Sequence, residues 1–259
     1  MKFKMPPIRK VLLALLLSCF IGCGVKPISI EMGNPKWGVE MSWHGHSCFT
    51  LRDSTGRTIV IDPFDETVGY GRLKLFADLL LISHDHFDHN FKPAVKARLR
   101  DLDVIESTGT YSVAGGLGVL GLPSFHDDVL GQKHGPNRMY VFQLGGLKFL
   151  HLGDMGHLLS IEQLRDIGKV DVVFVPVGGI TTTDAVSAFR LATAVQSSII
   201  IPMHYGDVRF YRLDPLEKFT MLFDPPQVKF LNEKSVRLRI STPKEKPEVW
   251  VLPVSGQTN

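Results

Sequence analysis

The sequence predicts an α/β protein in which two β-sheets pack face to face with helices on the outside. In the first half of the chain, short strand-like runs are separated by turn residues, and in the second half apolar strands alternate with helices. A chain of 259 residues with 44% apolar side chains has room for one large domain or two small ones and can form a substantial core. We treat residues 37–259 as a single domain.

The N-terminal residues have the pattern of an export signal. Four basic residues precede an apolar run (Val11–Ile21) that is too short to span a bilayer. The run ends at Gly22-Cys23, which resembles a bacterial lipobox, and Leu17-Ser18-Cys19 is a second candidate that would truncate the run. We therefore expect a lipoprotein signal peptide at residues 1–22 and a tether at 23–36, so that the protein is exported and attached to a membrane through its lipid anchor.

Removal of this signal changes the charge of the protein. The whole chain has a net charge of +3, and residues 1–22 carry four Lys or Arg and no Asp or Glu, so the mature chain has a net charge of −1. A nearly neutral chain without a run of basic residues lacks the positively charged surface that binds nucleic acid, which argues against nucleic acid as a partner. Besides Cys23, the mature chain contains only Cys48, so a disulfide framework is excluded and Cys48 is expected to be a buried apolar residue.

Strands dominate the predicted elements of the first half. A helix is predicted over Pro93–Arg100, where Val95, Ala97 and Leu99 give a modest apolar face. Gly145-Gly146 is a hairpin signal between two of the strands. The predicted strands are Val39–Trp43, Ser47–Arg52, Thr58–Asp62, Ala77–Ile82, Asp103–Glu106, Tyr111–Val119, Met139–Leu144 and Leu147–Leu152.

Helices and buried strands alternate in the second half. A capping box at Ser160–Gln163 begins a short helix that ends at Ile167, and Asp184–Gln196 is amphipathic. Continuous apolar runs predict buried strands at Val170–Val177 and Ser198–Pro202. The second sheet is expected to be completed by strands at Phe219–Phe223, Val228–Leu231, Val236–Ile240 and Val249–Val251.

The most informative segment is the loop His84-Asp85-His86-Phe87-Asp88-His89, which follows a predicted strand. Because alternate side chains of an extended segment point the same way, His84 and His86 can share one metal ion, while Asp88 and His89 face another. Imidazoles crowded at the end of an apolar strand repel one another when they are protonated, and metal coordination removes that difficulty. The pattern indicates a metal site rather than a His-rich surface loop.

Three further polar residues follow apolar strands: His126, Asp154 and His204. Each alone would be weak evidence, but layered folds gather active-site residues where loops leave one edge of the sheets. The candidate ligands form two balanced sets joined by Asp154 as a bridge. These sets are His84, His86 and His126 for one ion, and Asp88, His89 and His204 for the other.

These motifs resemble a known family. Residues 37–253 resemble the metallo-β-lactamase superfamily of binuclear hydrolases, whose most specific mark is the HxHxDH loop. Within it, the chain is similar to small metal-dependent hydrolases such as ascorbate-6-phosphate lactonase, and more distantly to N-acylphosphatidylethanolamine phospholipase D. The motifs are Gly45-His46-Ser47, Ile61-Asp62-Pro63-Phe64, Ser124-Phe125-His126, Gly153-Asp154, Pro176-Val177-Gly178-Gly179 and Ile201-Pro202-Met203-His204-Tyr205. The resemblance implies an αβ/βα sandwich of two mixed sheets and the seven ligands above, but it does not transmit a substrate.

The two ligand sets imply a mechanism and a choice of metals. Two ions roughly 3.5–4 Å apart share a water whose pKa falls toward about 7, and the resulting hydroxide attacks a carbonyl or phosphoryl centre. Because all the ligands are N or O donors, zinc, manganese and iron are admissible, and we favour two zinc ions. Asp88 and Asp154 are the candidate catalytic residues. Asp85 is expected beside the metals, and Asp62 is expected to orient a ligating imidazole.

Three other histidines are candidates for supporting roles. His46 lies at a strand end and has either a substrate contact or a structural role. His151 and His157 flank the Asp154 turn, so hydrogen bonding to the site is expected for them rather than metal ligation.

The leading function is hydrolysis of a small lactone, ester or phosphodiester. A lipid-directed phosphodiesterase is the alternative that the lipid anchor and the phospholipase resemblance favour. A non-catalytic metal-binding lipoprotein is a further alternative, although a scaffold would have no need for seven ligands. The sequence does not predict the oligomeric state.

Overall fold

The computed structural model describes residues 38–113, 115–206, 208–210, 212–239 and 246–255. These residues belong to one compact unit. The predicted signal peptide, lipobox and tether lie outside the described residues. Within the described ranges, no helix is long and apolar enough to cross a membrane.

The described ranges contain sixteen strands and three α-helices. The strands are β1 (Val39–Gly45), β2 (Cys48–Asp53), β3 (Thr58–Ile61), β4 (Leu75–Ala77), β5 (Leu79–Leu81), β6 (Val95–Ala97), β7 (Asp103–Ile105), β8 (Gly109–Val113), β9 (Leu117–Phe125), β10 (Pro136–Leu144), β11 (Leu147–His151), β12 (Val172–Pro176), β13 (Ile199–Met203), β14 (Val228–Phe230), β15 (Val236–Leu238) and β16 (Glu248–Val251). The helices are α1 (Ile161–Ile167), α2 (Ala185–Val195) and α3 (Glu217–Thr220). Short 3₁₀ turns occur at Glu66–Val68, Lys92–Ala94 and Pro225–Gln227.

Two mixed sheets form the body of the domain. One has six strands in the order β15-β1-β2-β3-β5-β7, and the other has eight in the order β14-β16-β13-β12-β11-β10-β9-β8. Their inner faces pack through aromatic side chains, with the rings of Phe49 on β2 and Phe174 on β12 only 4.5 Å apart. Both side chains are fully buried, and each contributes about 2–3 kcal/mol of burial free energy. The predicted sandwich of two mixed sheets is confirmed.

The outer faces of the two sheets are covered differently. Ile167 of α1, Ala188 of α2 and Phe219 of α3 pack in one apolar cluster with the outward side chains of the eight-stranded sheet. The outward side chains of the six-stranded sheet pack instead against Phe64 and the small β4–β6 sheet. The predicted capping box of α1 is present, with Ser160 and Gln163 each accepting a backbone hydrogen bond from the other.

Two predicted elements are wrong. The predicted helix over Pro93–Arg100 is a 3₁₀ turn followed by β6, which pairs in parallel with β4, and Leu99 is exposed rather than part of an apolar helix face. The predicted strand at Phe219–Phe223 is instead the α3 region. Phe219 lies in α3 and Phe223 lies just beyond its end, and their ring centroids are 5.1 Å apart.

Three other predictions need correction in detail. The run from Ala77 to Ile82 is divided at Asp78, whose carboxylate accepts hydrogen bonds from the Thr58 amide and the Arg98 side chain. The run around Tyr111–Val119 is a hairpin of β8 and β9 that turns at residues 115–116. The strand predicted at Val236–Ile240 pairs with β1 and therefore belongs to the first sheet, not the second.

Candidate metal centre

Two groups of candidate ligands converge where loops leave the strands. His84 and His86 follow β5, and His126 follows β9. One nitrogen from each of these three imidazoles lies within 4.8 Å of the others, which is close enough for one metal ion. The structure thus brings together the three histidines that the sequence assigns to one ion.

The second group consists of His46, His89, Asp154 and His204, and all four are buried. The Asp154 Oδ2 atom is central, at 3.1 Å from His89 Nε2, 3.0 Å from His204 Nε2 and 3.2 Å from His126 Nε2. It also lies 3.9 Å from His84 Nε2. One carboxylate oxygen is therefore in contact with histidines of both groups, as a bridging ligand requires.

Asp88 lies beside the second group and contacts two of its histidines. Its Oδ2 atom lies 3.1 Å from His46 Nε2 and 4.0 Å from His89 Nε2. His46 thus stands among the second group and contacts Asp88, the carboxylate that the sequence assigns to that group. The sequence left His46 between a substrate contact and a structural role, because a lone histidine after a short strand carries no ligand signal.

The donor set fits a metal ion. The Nε2 atoms of His89 and His204 are buried without a hydrogen-bond partner, although each lies about 3 Å from the Asp154 carboxylate. The Nδ1 atoms of His46 and His204 are also buried and unpaired. An unpaired buried polar atom costs about 1–3 kcal/mol, and a metal ion offers such nitrogens a partner.

Asp62 orients one imidazole of each group. Its Oδ2 atom accepts a hydrogen bond from the Ser83 hydroxyl (2.6 Å) and lies 3.2 Å from His89 Nδ1. The Ser83 oxygen in turn lies 2.9 Å from His84 Nδ1. These contacts assign a ring proton of His84 and of His89 to Nδ1 and make Nε2 the candidate ligand atom of each imidazole. Asp62 thus lies where the sequence expects it, in contact with a candidate ligand.

His126 is oriented by a backbone group. Its Nδ1 atom lies 2.7 Å from the carbonyl oxygen of Thr181, which assigns the proton to Nδ1 and points Nε2 toward Asp154. The neighbouring Asp127 shapes the loop that follows, because its carboxylate accepts backbone N–H bonds from Val129, Gly131, Lys133 and His134. The sequence did not indicate either contact.

The electrostatics of the centre separate neutral from charged side chains. Burial and neighbouring imidazoles lower the pKa of His84 well below its ordinary value, and burial and His204 lower the pKa of His46 to about 4. Burial also acts to lower the pKa of His89, but Asp154 and Asp88 outweigh it and raise that pKa well above its ordinary value. Burial acts to raise the pKa of Asp154, which His204 and His89 nevertheless hold well below its ordinary value. Because neutral imidazoles and ionised carboxylates are the forms that bind metals, an ion at the second group would displace a proton from His89.

Backbone strain is concentrated at the same place. Among the described residues, six non-glycine residues have a positive φ, and three of them are His46 (51°), Asp62 (47°) and His204 (55°). Such conformations cost about 1–3 kcal/mol each and persist where the surrounding structure enforces them. The other three are Leu130, Ile180 and the C-cap of α2, Gln196.

The remaining candidates lie around the centre rather than in it. Asp85 is exposed and accepts a hydrogen bond from Asn90. His151 is buried between the Ser47 carbonyl and the Gly153 amide, and His157 accepts from the Phe125 amide, so both hold loops of the site. Cys48 is free and buried, and burial raises the pKa of its thiol well above the ordinary value, which confirms the predicted apolar role.

The centre opens toward the solvent at its first group. His86 is exposed, whereas His84 and His126 are buried. A cleft of about 390 Å³ begins at His126 and is lined by the loop that contains Thr181. A second cleft of about 390 Å³ shares Asp127, Asp128, His157 and Leu158 with the first.

Comparisons with known proteins show the family to which the chain belongs. A Beta-lactamase superfamily domain model matches residues 40–204. A UPF0173 metal-dependent hydrolase from Thermoplasma acidophilum is 28% identical over 206 residues, which cover 71% of this chain and 90% of the relative. A UPF0173 protein from Pyrococcus furiosus is 31% identical over 195 residues, which cover 69% and 88%.

A solved structure of the same superfamily is also similar to this chain. It comes from Thermotoga maritima and is assigned to the Zn-dependent hydrolases of the metallo-β-lactamase superfamily. It is 32% identical to this chain, with a TM-score of 0.66, and the match covers 83% of this chain and 98% of that one. The chain is therefore a metal-dependent hydrolase of the UPF0173 family, within the metallo-β-lactamase superfamily.

Proposed function

We propose that this protein is a binuclear hydrolase of small lactones, esters or phosphodiesters. The observation that carries the proposal is the position of Asp154 Oδ2, which lies 3.0–3.2 Å from Nε2 atoms of His89, His126 and His204. A carboxylate shared in this way between two histidine groups is suited to bridge two ions.

The residues present determine what each ion would contact. His84, His86 and His126 would hold one ion, and His89 and His204 would hold the other together with Asp88. When bound, such ions polarise a carbonyl or phosphoryl oxygen and lower the pKa of a coordinated water toward about 7. The donors are all nitrogen and oxygen, which suits zinc, manganese or iron, and we favour zinc.

His46 supports the second site in this proposal. Its Nε2 atom lies 3.1 Å from Asp88 Oδ2, and its low pKa keeps the imidazole neutral, so Nε2–H can donate to the carboxylate. This contact orients Asp88 between His46 and His89. Asp62 holds the imidazole of His89 and the Thr181 carbonyl holds that of His126, so these two ligands are positioned before an ion binds.

The described part of the chain offers no rival nucleophile in a reactive setting. Cys48 is buried, and its raised thiol pKa disfavours the thiolate. The hydroxyl of Ser83 donates to Asp62, and the hydroxyl of Ser47 donates to Asp154 at 3.3 Å. We infer that water, rather than a protein side chain, attacks the substrate.

A chelation experiment with two variants tests this function. Dialysis against a chelator should abolish hydrolysis of a panel of lactones, esters and phosphodiesters, and added zinc or manganese should restore it. Cys48→Ala should retain turnover, whereas His126→Ala should lose it. If the chelated protein still turns over and Cys48→Ala is inactive, the proposal is wrong and Cys48 becomes the candidate nucleophile.

A lipid-directed phosphodiesterase is a narrower version of the same proposal. Its support is the lipid anchor expected at Cys23, which would hold the centre near a membrane. Phosphodiesters with and without acyl chains belong in the substrate panel for this reason.

A further inference from the structure

Two residues with large apolar side chains have backbone conformations that are unfavourable for their residue types. Both border the clefts beside the metal centre. Leu130 and Ile180 have φ values of 60° and 62°, in the left-handed region that a β-branched or bulky residue rarely adopts. Burial does not offset this strain, because Leu130 is 72% exposed and Ile180 is 69% exposed. Neither residue is one of the candidate metal ligands.

Both residues line clefts beside the centre. Ile180 borders the cleft that contains His126, and Leu130 borders the second cleft. Leu158, which is 48% exposed, borders both. The three side chains therefore mark an apolar path from the cleft at His126 into the second cleft, through linings that also contain the polar residues Asp127, Asp128 and His157.

The loops that carry these side chains are fixed to the centre. The residue after Ile180 is Thr181, whose carbonyl accepts from His126 Nδ1 at 2.7 Å. Leu130 lies in the loop held by the Asp127 carboxylate, between the bonded amides of Val129 and Gly131. The apolar path is thus built on the same backbone that orients a metal ligand, and its position relative to the centre is defined.

We propose that these clefts bind a single apolar chain of the substrate, an acyl or alkyl chain that extends from the scissile group at the metals past Ile180 and Leu158 to Leu130. The proposal rests on the proposed hydrolytic function and adds the class of substrate, a single-chain amphiphile. Each cleft has a volume of about 390 Å³, at the small end of the range of about 300–1,000 Å³ for ligand pockets, which suits one narrow chain. Contact with a chain would desolvate the apolar side chains that are exposed in the free protein.

Binding of linear carboxylates to the zinc-loaded full chain tests the proposal independently of turnover. Butanoate, hexanoate, octanoate and decanoate are titrated by calorimetry, with the carboxylate directed to the metals. Affinity should rise by up to about threefold to fourfold for each added methylene, which corresponds to the free energy of burying one CH₂ group.

Glycine variants locate the chain along the path. Ile180→Gly should weaken the binding of hexanoate, octanoate and decanoate, whereas Leu130→Gly should weaken only the longer members, because Leu130 borders only the second cleft, which does not contain His126. Both variants should be as stable as the original protein or more so, because glycine accepts a positive φ without strain. Weaker binding in a more stable protein cannot be attributed to unfolding.

Leu99→Gly is the matched control. Leu99 is 74% exposed, like Leu130, but it borders neither cleft and lacks a positive φ. This variant should leave the chain-length dependence unchanged and should lower stability, which is the opposite of both effects expected for Leu130→Gly.

Three results would each overturn either the chain-binding clefts or the proposed hydrolytic function. Hydrolysis of the substrate panel with no dependence of carboxylate affinity on chain length would refute the chain-binding clefts and leave the hydrolase intact. Chain-length dependence without any hydrolysis would refute the proposed function and leave the clefts. Binding to phosphatidylcholine vesicles that Leu130→Gly and Ile180→Gly abolish, without chain-length dependence, would replace the substrate chain with a membrane surface.

Discussion

The backbone carbonyl of His46 accepts a hydrogen bond from the backbone amide of His204 at 3.1 Å. His46 follows β1 of the six-stranded sheet, and His204 follows β13 of the eight-stranded sheet. Trp43 Nε1 donates to the same carbonyl at 3.0 Å. The two sheets are therefore joined directly at the second histidine group, which explains how residues far apart in sequence are held at ligand distance.

Asp62 should control the metal affinity of both sites. In Asp62→Asn, an amide nitrogen would take the place of one carboxylate oxygen, so the variant cannot accept from Ser83, the backbone amide and His89 together. We expect both ions to bind about 10–100-fold more weakly, as is usual when an orienting group is lost. Competition with a metal-sensitive dye measures the two affinities.

Ser83→Ala provides the comparison for that variant. It removes the hydroxyl between Asp62 and His84 but leaves the contact of Asp62 with His89. We expect only the ion held by the His84 group to bind more weakly. Unchanged affinity for both ions in Asp62→Asn would show that Asp62 does not orient the ligands.

Asp127 should stabilise the fold in a pH-dependent manner. Burial acts to raise the pKa of its carboxyl, but the four backbone N–H bonds hold that pKa below its ordinary value. Because the folded-state pKa is below the unfolded value of about 4, the stabilisation is present above pH 4 and is lost as the pH falls further. Asp127→Asn should lower the free energy of unfolding by at least about 2 kcal/mol at neutral pH.

Urea unfolding of the metal-free protein checks this prediction. The difference in unfolding free energy between wild type and Asp127→Asn should be largest between pH 5 and 7 and should shrink toward pH 3. Other titrating groups act on both proteins and cancel in the difference. A difference that grows as the pH falls would mean that Asp127 is not an ionised acceptor.

Cys48 should not react with thiol reagents in the folded protein. Its thiol is buried, and its pKa is raised by burial and by Asp62, so the thiolate is disfavoured at pH 8. In a Cys19→Ser, Cys23→Ser background, a thiol reagent should react with Cys48 only after denaturation. Rapid labelling of the native protein would contradict the buried position.

We propose that the protein is processed and acylated at Cys23. The basic residues, the short apolar run and Gly22-Cys23 motivate this proposal. Mass spectrometry of membrane-extracted protein should show an acylated N-terminus at Cys23, and Cys23→Ser should abolish it while Cys19→Ser does not. Recovery of an intact Met1, or of a soluble form beginning well beyond Cys23, would exclude a lipoprotein.

The sandwich was predictable because the apolar periodicity of its strands reflects burial directly. Continuous apolar runs mark β12 and β13, which are buried on both faces in a parallel arrangement. The prediction failed for short elements, because the three residues of β6 carry too little periodicity to distinguish a strand from a helix. The sheet to which β15 belongs was also unpredictable, because strand pairing depends on the whole topology.

The candidate ligands were predictable where the residue types are rare and closely spaced, as in the loop from His84 to His89. The position of His46 in the second group was not, because it depends on a left-handed turn and on a hydrogen bond to His204, 158 positions away. The contact of the Thr181 carbonyl with His126 could not be predicted either, because every residue type has a backbone carbonyl. Sequence identifies chemical groups, whereas their pairing requires the fold.

The most direct test of the central claim is the number of metal ions in the zinc-saturated protein at neutral pH, measured by elemental analysis per chain. We predict two ions in the wild type. His86→Ala and His204→Ala should each retain one, because each removes a ligand from a different group. A single ion in the saturated wild type, or the loss of all metal in His86→Ala, would contradict two sites that share Asp154.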